Sequence, residues 1–208
     1  TRELLFASIC ENPNWCIELA LTYADAGLYA EAEEVLTAAS DAGQHYPLVH
    51  YYLADFCERQ GKQDAAARQR TAAASAPSDY CFPHRLEDLL VLNRALEKNP
   101  DDAKGWYYLG NLWYDKRQYA QAIDCWERSR ALDGRFPTAH RNLALAYFNK
   151  CGRPDDALDE MEQAFALDRT DARVLMELDQ LRKKRGMSAP ERLKALEENR
   201  ECVLQRDD

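Results

Sequence analysis

Trp106-Tyr107-Tyr108-Leu109-Gly110-Asn111-Leu112-Trp113-Tyr114 sets the period of the chain. Thirty-four positions later the same apolar–small–aromatic order returns as His140-Arg141-Asn142-Leu143-Ala144-Leu145-Ala146-Tyr147-Phe148. It also stands at Leu53, Ala54 and Cys57, and 34 residues earlier at Leu19, Ala20 and Tyr23. Each copy has a second half: Ala32, Leu36, Ala39; Ala66, Arg70, Ala73; Ala122, Trp126, Ser129; Ala157, Met161, Ala164. Three sites per unit thus take a small residue, and all 12 are Ala, Gly or Ser, types that fill only 45 of the 208 positions. Small side chains at that interval let two antiparallel helices approach to about 8–10 Å. The bulkier residues between them, such as Leu109, Trp113 and Trp126, fill the flanking holes.

The halves are punctuated by turns. Gly27, Gly61, Gly152 and Gly186 follow predicted helices, where a left-handed residue ends the helix, and Asp115-Lys116-Arg117-Gln118 makes the same turn without glycine. Pro13, Pro47, Pro100, Pro137 and Pro154 stand at helix or unit entrances, where a missing N–H costs nothing. Ser188-Ala189-Pro190-Glu191 reads as a capping box opening a last helix. The unit is a helical hairpin of about 34 residues. Units begin near residues 13, 47, 103, 137 and 172. The step from 47 to 103 holds an insertion in which Cys81-Phe82-Pro83 is followed by Leu86, Leu89, Leu92 and Leu96, read as a lone helix after a loop. The fourth copy carries one extra residue near Gly152, and the fifth puts Asp179 at its small site. The expected division is one domain over 1–208, with repeats at 13–46, 47–76, 103–136 and 137–171, a degenerate copy at 172–203 and the insertion at 77–102.

Composition removes several function classes. The net charge of −9 is the wrong sign for a nucleic-acid partner, and no apolar run is long enough to span a membrane. Seven cysteines, with Cys10 and Cys16 the single close pair, make neither a disulfide framework nor a zinc site; buried reduced thiols and a cytoplasmic setting are expected. Opening on Thr1 within helical text at Leu4, Leu5 and Ile9, the sequence reads as a fragment of a longer chain. Of the four histidines, His45, His50, His84 and His140, two (His50 and His140) take the place of Trp106 and are read as packing residues. The basic run Arg182-Lys183-Lys184-Arg185 closes a predicted helix, where cations meet the macrodipole favourably. With no phosphate loop, nucleophile elbow or Cys/His pair at catalytic spacing, no catalytic residue, metal or cofactor is expected.

The chain resembles the tetratricopeptide repeat family, most fully in residues 103–136 through Trp106, Leu109, Gly110, Ala122, Trp126 and Ser129. More narrowly, Tyr80-Cys81-Phe82-Pro83, Tyr107-Tyr108-Leu109-Gly110-Asn111-Leu112 and Asp171-Ala172-Arg173-Val174-Leu175 resemble a C-terminal repeat region of large bacterial proteins whose N-terminal portion is similar to sugar-mutarotase β-sandwiches. The family resemblance implies an all-α solenoid of stacked hairpins in a right-handed superhelix, used for protein–protein interaction. Its concave face would be lined by the first helix of each hairpin. Carried over position by position, that face is Tyr51, Tyr52 and Asp55; Tyr107, Tyr108, Asn111 and Tyr114; Arg141, Asn142, Leu145 and Phe148; and Arg173, Met176, Glu177 and Gln180. Several of the tyrosines, Tyr108 above all, equally suit closing the joint between repeats. Some family members bind a terminal carboxylate through a Lys/Asn/Arg clamp. Here Asn111, Asn142 and Arg173 match, but Tyr107 replaces a lysine and Glu177 an arginine, which removes a cation and adds an anion. The expected partner is therefore a different peptide, a protein or a neighbouring domain of the parent chain. The alternative is a support domain of a carbohydrate-related enzyme with no ligand of its own.

Overall fold

Most helix starts have a local cause in the sequence. In the computed structural model, which describes residues 12–41 and 46–204, α1 (Pro13–Asp25) opens on Asn12, whose side chain accepts from the N–H of Asn14 at 2.9 Å. The expected helical text at Leu4, Leu5 and Ile9, together with Cys10 and His45, lies outside the described residues. Helix α2 (Tyr29–Asp41) follows Gly27 at φ 78°, α3 (Pro47–Arg59) opens on a proline, and α4 (Gln63–Ser75) follows Gly61 at φ 77°. Next come α5 (Leu86–Lys98) and α6 (Ala103–Asp115), the latter capped by Asp102, which accepts from the N–H of Gly105 at 2.9 Å. The glycine-free turn is made by Arg117, which takes φ 59° itself.

The remaining elements are α7 (Tyr119–Leu132), α8 (Pro137–Ala146) with a π-helical extension Tyr147–Cys151, α9 (Pro154–Leu167), α10 (Ala172–Lys184), α11 (Ala189–Glu198) and α12 (Arg200–Leu204). All regular structure among the described residues is helical. The extra residue of the fourth copy sits in the π extension, which ends at Gly152 with φ 62°. Ser188 and Glu191 form the capping box of α11.

Contacts group the chain into two compact units, Thr1–Lys116 and Arg117–Asp208, and the boundary falls inside the repeat at 103–136. In the first unit, α1 pairs with α2 and α3 with α4, while α2 stacks on α3. Helix α5 then lies across both α3 and α6. Covered by α1, α2, α4 and α5, helix α3 has every residue from Pro47 to Cys57 buried. A helix that is apolar nearly all round is a core helix, and each large side chain it buries contributes about 1.5–3 kcal/mol.

In the second unit, α7 packs on α8, α8 pairs with α9, and α9 stacks on α10, which α11 and α12 cover. Its core gathers Ala144, Met161, Ala164, Phe165, Val174, Leu175, Leu178, Leu181 and Cys202. All twelve small-residue sites read from the sequence are buried in the structure. At the degenerate copy, Asp179 receives the Arg192 guanidinium at 2.8 Å from Nε to Oδ1, so an ion pair stands where the other copies have a small side chain.

Candidate functional site

The expected face divides by unit, and the two parts have different fates. In the first unit α5 covers it. The stripe α5 buries is Asp88, Val91, Leu92, Ala95 and Leu96, while Leu86 and Leu90 point outward. Tyr52 donates to Asp88 Oδ1 at 2.6 Å, and the other carboxylate oxygen accepts the N–H groups of His84 and Arg85 at 2.8 and 2.9 Å. Tyr51 donates to Asp102 Oδ2 at 2.7 Å and meets Tyr108 edge-on, ring centroids 6.1 Å apart. Burial, reinforced by these carboxylates, holds the Tyr51 and Tyr52 hydroxyls far above the usual tyrosine range, so both remain donors.

Tyr51, Tyr52, Tyr107 and Tyr108 therefore belong to the core rather than to an open face. Asp55 is buried too, joined to Arg59 Nε at 2.8 Å and to Arg94 Nη1 of α5 at 2.5 Å. The physical reason is the insertion: a helix laid on α3 and α6 closes over side chains that a regular repeat would leave facing solvent. Asn111 and Tyr114 are half-buried. The signals for the partners missed in the sequence were Asp88, in the first turn of α5, and Asp102, immediately before α6.

In the second unit the face is partly open. Arg141 of α8 makes a two-pronged contact with Glu177 of α10, Nε to Oε2 at 2.7 Å and Nη2 to Oε1 at 2.5 Å. Arg173 lies 3.5 Å from the same carboxylate, with its side chain 70% exposed. Beside them Asn142, Leu145 and Phe148 are half-buried, and Leu145 and Phe148 pack on the core cluster. Lys184 stands 4.5 Å over the Phe148 ring, a cation–π contact absent from the sequence reading. Glu177 is thus engaged by two guanidinium groups and is not a bare anion at the face.

His50 and His140 are both buried; Nδ1 of His50 lies 2.8 Å from Gln69 Oε1. The basic run is tied down by Arg182 to Glu162 at 2.8 Å and by Arg185 to Asp155. Among the described residues, no group of three or more His, Cys, Asp or Glu is placed to hold a metal ion, and no helix is long and apolar enough to cross a membrane.

Comparison with known proteins agrees with the repeat geometry. Family models described as tetratricopeptide repeat match residues 17–80 and 103–136. Those two stretches carry tetratricopeptide repeats. A curated relative, the cytochrome c-type biogenesis protein CycH of Pseudomonas aeruginosa, is 35% identical over 72 residues, or 34% of this chain. That match spans 18% of the relative's length, well under two thirds of it. Among solved structures, a crystal structure of MamA superposes with a TM-score of 0.53 at 16% identity, covering 89% of this chain and 95% of that one. MamA 41-end from Desulfovibrio magneticus RS-1 gives a TM-score of 0.52 at 15% identity, covering 94% and 97%. At such identities the likeness shows the fold alone. The tetratricopeptide match over 103–136 runs across the boundary between the two units.

Proposed function

We propose that this chain is a protein-interaction module whose partner seats on the α8–α10 face of the second unit. The observation that carries this reading is the doubly bonded Arg141–Glu177 pair beside half-buried Asn142, Leu145 and Phe148. Side chains already held in place lose little freedom when a partner arrives, so less of the contact energy is spent on ordering. Arg141, Arg173 and Lys184 against Glu177 give the face a local charge of 3 − 1 = +2, opposite in sign to the chain's −9. A segment with apolar anchors and acidic or carbonyl groups suits it. The partner is a peptide, another protein or a further domain of the parent chain. The buried thiols of Cys16, Cys57, Cys81, Cys125 and Cys202 fit a reducing compartment such as the cytoplasm.

A second reading, support of a larger protein, is favoured by exposed Tyr80, Phe82, Leu86 and Leu90 along α5 and the loop before it. Capture of the partner by immobilised chain separates the two. Charge reversal at two exposed positions, Arg173→Glu with Lys184→Glu, is expected to cut capture about tenfold or more, a loss of about 1.4 kcal/mol or more, while the melting temperature falls only slightly. Capture unchanged by that pair but abolished by Phe82→Ser with Leu86→Ser would favour the α5 surface instead.

A further inference from the structure

His140 lies one turn inside α8, 7% exposed, with an acceptor on each side of its ring. Glu160 Oε2 of α9 is 2.6 Å from Nδ1, and the carbonyl oxygen of Gly134, in the turn before α8, is 3.1 Å from Nε2. A neutral imidazole has one N–H and satisfies one of these acceptors; the imidazolium has two and satisfies both. We infer that His140 is a proton-operated latch, clamping the turn before α8 to α9 when charged and letting one side go when neutral.

The charges facing the ring come from two elements. Glu160 of α9 accepts from it, and Arg130 of α7 reaches the other oxygen of the same carboxylate. From α10, Glu177 engages Arg141, the neighbour of His140 on its own helix, and Arg173 lies 3.5 Å from that same carboxylate. The bond to Glu160 is the largest influence and raises the imidazole above the ordinary histidine value, against the opposing pull of burial and of Arg130. A group whose folded-state pKa lies above its unfolded one adds stability that is fully present below the unfolded value, about 6.5, and is lost as pH rises through the folded value. His50 is the internal contrast. It occupies the same place in the repeat at 47–76, yet meets the neutral amide of Gln69, for which one N–H suffices.

The test follows imidazole resonances by NMR across pH 5.5 to 9, with thermal melts of the same chain. Wild type should show His140, assigned by its loss in His140→Gln, titrating above the ordinary value of about 6.5. The melting-temperature gap between wild type and His140→Gln should shrink by about 2–4 °C or more from the acid to the alkaline end. If His140→Gln does not fold, Glu160→Gln keeps the ring and copies the His50 arrangement, and its His140 midpoint should fall. A wild-type midpoint at or below the ordinary value overturns the latch. So does a pH slope that neither His140→Gln nor Glu160→Gln changes.

Discussion

Replacing Asp88 with alanine tests whether the inserted helix is fastened where it lies. Its carboxylate is fully buried and accepts from the Tyr52 hydroxyl and from two backbone N–H groups at the start of α5. His84 and Arg85 lie nearer the surface and regain water when the carboxylate goes, so the loss there is that of a helix cap, about 1 kcal/mol. Tyr52 is wholly buried, and its hydroxyl is left without an acceptor at about 1–3 kcal/mol. Asp88→Ala should therefore destabilise the chain by about 2–4 kcal/mol, read as an earlier midpoint in urea unfolding followed by far-UV circular dichroism. Tyr52→Phe removes the donor together with the need for it, so the double variant should cost less than the sum of the two single ones. An Asp88→Ala midpoint within experimental error of wild type, or strict additivity in the double variant, would refute the account of how α5 is held.

Three further outcomes follow from the packing. Ala144→Leu, inside the core of the second unit, should cost about 1–3 kcal/mol in chemical unfolding, whereas Leu at exposed Gln121 should shift the midpoint by less than about 0.5 kcal/mol. Gly152→Ala has open space around the new methyl but must keep φ 62°, so calorimetry should show a loss of about 1–2 kcal/mol, with Gly152→Asn milder. Arg141→Ala leaves the mostly buried Glu177 short of its two-pronged partner and should cost about 1–3 kcal/mol; Arg141→Met with Glu177→Leu should recover most of that, as melting curves of the three proteins would show.

The repeat was legible because it is written in absolute terms: a residue facing another helix at close range must be small, and the turns need proline or a left-handed residue at fixed offsets. Ala20, Ala66 and Ala164 announce their burial without any knowledge of what covers them. The destination of an insertion is not written that way. Leu86, Leu89, Leu92 and Leu96 lie along one arc of the helix, but the buried stripe is turned from it toward Asp88, Val91 and Ala95, and Asp88, the residue that fixes the true face, interrupts the apolar pattern. Once α5 settles on α3, residues that a regular copy would expose become interior. Tyr51 and Tyr52 were misplaced for that reason. Arg141 and Arg173, in copies free of the insertion, stand partly or largely exposed, though their shared hold on Glu177 required two helices to be brought together first.

The π segment at Tyr147–Cys151 shows where such a protein can lengthen harmlessly. The added residue is absorbed as a wider last turn, and Ala157, Met161 and Ala164 beyond it still reach the interior. Inserted between Ala157 and Ala164, the same residue would rotate everything after it by about 100° and turn the inner row toward water. Evolution of these hairpins is thus free to drift by single residues at helix ends, and is locked in step within the rows of small side chains.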